Sequence, residues 1–136
     1  WVAPRVTRAG STCSRPVNLL DIYPTLASLT RCKPPSNQLE GNDLTVLMKN
    51  PVAVWNKNSV TTFGYKNYGV RSDQHRYIVY ADGTEELYDH ETDRWEWKNE
   101  AANPRYAEIK KNLRASIPTH HEPPGKTYIP PGRKRK

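Results

Sequence analysis

The stretch from Val60 to Tyr88 constrains the fold most, because within it the chain changes period. Four short runs, at residues 60–65, 68–71, 75–80 and 85–88, are rich in β-branched and aromatic residues, and turn-forming residues bound each of them. Ser72-Asp73-Gln74 marks one turn. Asp82-Gly83 marks another, and Asp-Gly between strand-like runs is a preferred two-residue hairpin loop. The pattern predicts an antiparallel meander of three or four strands with one covered and one partly wet face. Strand alternation then puts Ile78 and Tyr80 on one face and Tyr77 and Val79 on the other.

The flanking segments read as helix and loop. Leu19, Ile22, Leu26 and Leu29 recur at the spacing of one helix face. Pro24 interrupts that spacing, which predicts a turn over residues 18–23 feeding a helix with Pro24 in its first turn, ending near Thr30. Residues 33–58 are mostly connection, with a short apolar turn at Leu44–Met48 that Asp43 is placed to cap. Asn103-Pro104 opens a second helix, with Tyr106, Ile109, Leu113 and Ile117 as its apolar stripe and Pro118 as its stop. The order of elements defines an α+β arrangement: a small antiparallel sheet with helices over one face.

Charge and length divide the chain further. Of 136 residues, 21 are Lys or Arg and 14 Asp or Glu, a formal charge of +7, and residues 120–136 supply +4 of it. That segment also holds Pro123, Pro124, Pro130 and Pro131, so a basic, Pro-rich, disordered tail is expected after a globular region at 1–119. A basic run can bind nucleic acid or a polyanionic glycan, which makes a small basic binding module the alternative function. Nucleic acid is not the partner the rest of the sequence favours. No run approaches 18 apolar residues, so no membrane span is expected. The chain opens on Trp1 without a leader or a Met, which predicts a piece of something longer.

Catalytic patterns are absent by inspection. The seven glycines are isolated, no Gly-x-Ser-x-Gly elbow occurs, and Cys13 and Cys32 form no Cys-x-x-Cys pair. Glu85 and Glu86 are strand neighbours that point to opposite faces. Asp89-His90-Glu91 reads as a polar turn closing a hairpin.

Several strings, in order, carry a resemblance. Pro16-Val17-Asn18-Leu19-Leu20-Asp21-Ile22-Tyr23-Pro24-Thr25-Leu26 and Glu40-Gly41-Asn42-Asp43-Leu44 resemble segments that follow the catalytic core of type I sulfatases. Arg76-Tyr77-Ile78-Val79-Tyr80-Ala81-Asp82-Gly83, Glu86-Leu87-Tyr88-Asp89-His90 and Asp93-Arg94-Trp95-Glu96-Trp97-Lys98-Asn99 resemble the C-terminal sheet of the same enzymes. The resemblance spans about residues 2–117 and is nearest to the iduronate-sulfatase-like and choline-sulfatase-like members of the alkaline-phosphatase-like superfamily. Arg94 stands where that family usually has Pro. Tyr68-Gly69 precedes Val70-Arg71 where many bacterial relatives have a His.

The resemblance implies a C-terminal subdomain of a sulfuric ester hydrolase. Such enzymes use a formylglycine made from a Cys/Ser-x-Pro-x-Arg motif, and a divalent cation, usually calcium. Neither is expected in this chain: Cys32-Lys33-Pro34-Pro35-Ser36 has Ser where the motif needs Arg, and no Asp-Asp pair is present. Both are expected in a missing N-terminal catalytic region, which is then the partner of this chain. A sulfated carbohydrate is the expected substrate, export to the periplasm, lysosome or medium the expected location, and inactivity alone the expected behaviour. Asn67, Tyr68 and Arg71 are the expected substrate-rim residues, with Arg71 either gripping an anion or tied to Asp73 or Glu85.

Overall fold

A computed structural model describes residues 3–33 and 39–121. The Pro34-Pro35 break, and all of the basic tail beyond His121, lie outside the described residues, as do Trp1 and Val2. The alternative of a basic binding module rests on that tail.

The meander is the centre of the fold. Four strands, β1 (Ser59–Thr62), β2 (Tyr68–Arg71), β3 (His75–Val79) and β4 (Glu85–Asp89), pair antiparallel in the order β1-β2-β3-β4. Phe63–Tyr65, expected in the first strand, belong to the following loop, where Gly64 (φ 65°) and Lys66 (φ 59°) are left-handed. The Asp-Gly turn is longer than expected. The Gly83 amide donates to the Tyr80 carbonyl (3.0 Å) and Tyr80 donates to the Thr84 carbonyl (3.0 Å), with Gly83 at φ 87°. That is a three-residue hairpin loop ending on a left-handed glycine rather than a two-residue one. Asp82 stabilises it by accepting from the Thr84 amide at 2.9 Å.

Alternation sorts the sheet as predicted. Tyr68, Val70, Tyr77, Val79 and Leu87 are buried on the inner face, while Tyr80 is exposed. Onto the inner face packs α3 (Ala107–Arg114), entered through a short turn of 3-10 helix at Pro104–Tyr106. Asn103 accepts the Arg105 amide at 3.1 Å, so it caps this entry as its sequence position suggests. Tyr106 and Leu113 complete the core, with Ile109 and Ile117 against its edge.

The N-terminal helix behaves differently. A 3-10 turn at Leu19–Asp21 leads into α1 (Ile22–Thr30), with Pro24 in its first turn as expected, and α2 (Thr45–Lys49) packs beside it. Asp43 accepts the Thr45 amide at 2.8 Å, one residue before the α2 cap position. Among the described helices, α3 is the one that packs on the sheet. The predicted apolar stripe is not α1's buried side: Leu19 is 86% exposed, and Ile22, Tyr23 and Leu26 are exposed too. What α1 buries is Thr25 and Ala27, preceded by Asp21, small or polar groups seated on the loop before α2.

Candidate functional site

Two arrangements stand out, one structural and one concave. The first joins two strings that lie apart in sequence. Asp21, 2% exposed, accepts the Asn18 amide (2.7 Å), the Asn42 amide (2.7 Å) and the Asn42 side chain (3.2 Å). Thr25, fully buried, donates to the Asp21 carbonyl at 2.5 Å and accepts the Leu44 amide at 2.9 Å. Gly41 lies so close to the Leu20 carbonyl that a Cβ there would sit 2.1 Å from its oxygen. The Asp and Thr of the first string thus hold the Gly-Asn-Asp-Leu of the second through its backbone. Sequence inspection missed this role, although an Asp and a Thr spaced i, i+4 beside an apolar stripe carry the signal.

The second arrangement is the outer face of the sheet. Register places Arg71 directly opposite Arg76, and Gly69 opposite both Ile78 and Thr61. These residues, with Phe63, Asn67 and Tyr80, line a concavity of about 520 Å³. Tyr68 borders it as well, but its ring is buried on the inner face and its hydroxyl lies 2.5 Å from His121 Nδ1. Asn67 is a fastener at the rim. Its amide nitrogen donates to the Phe63 (2.9 Å) and Tyr65 (3.2 Å) carbonyls, and its oxygen accepts the Ala81 amide (3.0 Å). The loop before β2 is thereby tied to the β3–β4 turn.

Arg71 is neither of the tied forms expected for it. Asp73 is paired with Arg15, and Glu85 is engaged on the inner side by Lys110, Arg114 and the Tyr77 hydroxyl. Arg71 Nη1 is buried and has no hydrogen-bond partner among the described residues. Burial, and then the neighbouring Arg76, push the Arg71 guanidinium below its ordinary range, only partly offset by Glu96 and Asp73. Arg76, by contrast, is paired with Glu96 at 3.1 Å, and Glu96 also meets His90 at 2.5 Å. Arg76 was not singled out in the sequence. Its signal was symmetry about the turn, since Arg71 and Arg76 flank Ser72–His75.

The Asp89 cluster is the polar turn expected of it. Burial pushes Asp89 up, but the Glu91 amide (3.0 Å) and the Tyr106 hydroxyl (2.9 Å) outweigh it and hold the carboxyl low. Among the described residues no group of three or more His, Cys, Asp or Glu could hold a metal ion, and Cys13 and Cys32 are both free and exposed. No helix among the described residues is long and apolar enough to cross a membrane.

The four-stranded antiparallel meander with a C-terminal helix on one face is an α+β arrangement that matches the C-terminal subdomain of sulfatases, and the proteins it resembles are formylglycine-type sulfatases of the alkaline-phosphatase-like fold. Residues 2–122 match the family described as N-sulphoglucosamine sulphohydrolase, C-terminal, and the chain belongs to it. A sulfatase of Formosa agariphila is 37% identical over 109 residues, covering 80% of this chain and 21% of that protein. The structure of BT4656, solved with its substrate D-glucosamine-2-N,6-O-disulfate, is similar with a TM-score of 0.69 and 27% identity, covering 82% of this chain and 25% of that one. BT1596, described as a 2-O GAG sulfatase, matches with a TM-score of 0.55 and 28% identity over 70% of this chain and 22% of its own. The chain thus spans about a fifth to a quarter of the length of the relatives it matches.

Proposed function

We propose that this chain is the C-terminal part of a sulfuric ester hydrolase that acts on a sulfated sugar, and that it works together with a catalytic region upstream of Trp1. The observation that carries the reading is the exposed apolar face over residues 17–26. Leu19 (86%), Leu20 (58%), Tyr23 (54%) and Leu26 (46%) form a larger run of exposed apolar side chains than an isolated helix needs. Covering that face by the upstream region would supply the burial this thin fold lacks. The match of residues 2–122 to a family described as C-terminal, and the coverage of only 21% of a sulfatase relative, support the same partner.

In this reading calcium and the formylglycine belong to the upstream region, and the chain alone is inactive. Export follows from the same family resemblance. Asn67, Tyr68 and Arg71 contribute to the substrate rim: Arg71 through its guanidinium, Asn67 by fixing the loop, and Tyr68 by anchoring the start of β2. The experiment compares the chain alone with the longer gene product, each given an aryl sulfate and calcium. Turnover is expected only from the longer protein. Turnover by the chain alone above a no-protein control overturns the proposal.

A further inference from the structure

The outer-face concavity has a feature that the reading above leaves unused. Like charges directly opposite in an antiparallel pair destabilise the sheet, yet Arg71 and Arg76 face each other there. Glu96 pairs directly with Arg76 and is shared with His90, and it offsets the burial of Arg71 only in part. Among the described residues the buried Nη1 of Arg71 has no acceptor, which costs the full desolvation of that donor. Around the two guanidinium groups the wall is apolar and aromatic: Phe63 is 84% exposed, with Ile78 and Tyr80 beside it. A volume of about 520 Å³ suits one or two sugar rings. Planar guanidinium forks match the oxygen geometry of sulfate and carboxylate, and the aromatic side chains match the apolar face of a sugar.

We propose that Arg71 and Arg76 form a pocket for a second, uncleaved oxyanion substituent of the saccharide, a sulfate or a uronate carboxylate, with Phe63 and Tyr80 against its ring. The pocket rests on the sulfated-sugar reading above and adds a specificity to it: substrates bearing two anionic groups are preferred. Arg76 enters as a specificity residue that draws the anion in while Glu96 fixes its orientation. Arg71 supplies the donors that the anion satisfies.

The test uses the full-length gene product and three matched sugars: monosulfated, disulfated, and monosulfated with an adjoining uronate. Arg71→Gln is expected to lower kcat/KM about 10- to 100-fold more on a doubly charged sugar than on the monosulfated one, chiefly through KM. Which of the two doubly charged sugars loses more tells sulfate from carboxylate. Arg71→Lys keeps charge without the fork and is expected to fall between. Phe63→Ala, at an exposed position that the fold does not use, is expected to weaken doubly charged sugars as well. Equal loss on all three sugars, together with a lower melting temperature, overturns the pocket, because Arg71 then pairs with an acid of the upstream region. If the wild-type protein hydrolyses none of the sugars, the sulfatase reading fails on its own. Calorimetric binding of the disulfated sugar to wild type and Arg71→Gln then decides the pocket: equal affinity, or no binding to either, overturns it.

Discussion

Gly41→Ala is expected to be among the most damaging single-methyl changes in this chain. The added Cβ would lie 2.1 Å from the Leu20 oxygen, 2.4 Å from its carbonyl carbon and 2.9 Å from the Asp21 nitrogen, against ordinary contacts of 3.4 Å or more. All three atoms are backbone, so no side chain can swing aside. The loop at 41–44 must move by more than an ångström, and its movement stretches three bonds: the Asn42 amide to Asp21 (2.7 Å), the Asn42 side chain to Asp21 (3.2 Å) and the Leu44 amide to Thr25 (2.9 Å). Overpacking costs about 1–3 kcal/mol. Each of the three weakened hydrogen bonds adds roughly 0.5–1.5 kcal/mol, for a total of about 2.5–7.5 kcal/mol. Urea unfolding followed by circular dichroism reads this as a midpoint lowered by more than about 1 M. Gly69→Ala is the control, since nothing lies within 4 Å of a Cβ built there. A Gly41→Ala midpoint indistinguishable from that of the control refutes the reasoning that this glycine lets the two strings dock.

Other perturbations test the same framework. Thr25→Val preserves shape but leaves the Leu44 amide without its acceptor, and is expected to cost about 1–3 kcal/mol in the same assay; a change under ~0.5 kcal/mol contradicts the bond. Lys110 and then the Tyr77 hydroxyl hold Glu85 below its ordinary value of 4.5, so this group stabilises the fold above that pH and loses its contribution as pH falls through its lower folded value. Lys110→Met should therefore flatten the acid side of a stability-versus-pH curve below about pH 4.5, and an unchanged acid limb contradicts the pairing. The Tyr77 hydroxyl itself, pushed up to about 12 by burial and by Glu85, is expected to show no phenolate absorbance in the folded chain at pH 10.

The sheet was legible because its signals are local. Period-two runs, Asp82-Gly83 and Asn103-Pro104 each report on neighbours along the chain, and the structure departs from them only in strand ends and loop length. What escaped was what each face meets. The spacing of Leu19, Ile22 and Leu26 shows that they share a face, but not that Thr25 and Ala27 on another face would be the buried ones. Arg71 draws notice in the sequence for its charge, whereas its place opposite Arg76 is a fact of register. Asn67 and Tyr68 lie four and three residues before Arg71, and alternation turns the Tyr68 ring to the other side of the sheet.

The strand order has a kinetic consequence. Every pairing in β1-β2-β3-β4 joins strands adjacent in sequence, so each closes only a short loop and pays little chain entropy before its contacts form. Among the described residues, Arg15 to Asp73 in the β2–β3 turn and Asn18 beside Ser59 link the helical arm to this sheet. Amides of residues 59–117 should therefore resist hydrogen exchange as one cooperative unit, while those of α1 open separately and earlier. On a ribosome the four strands can pair with one another in order as they emerge, and the inner face closes once α3 follows.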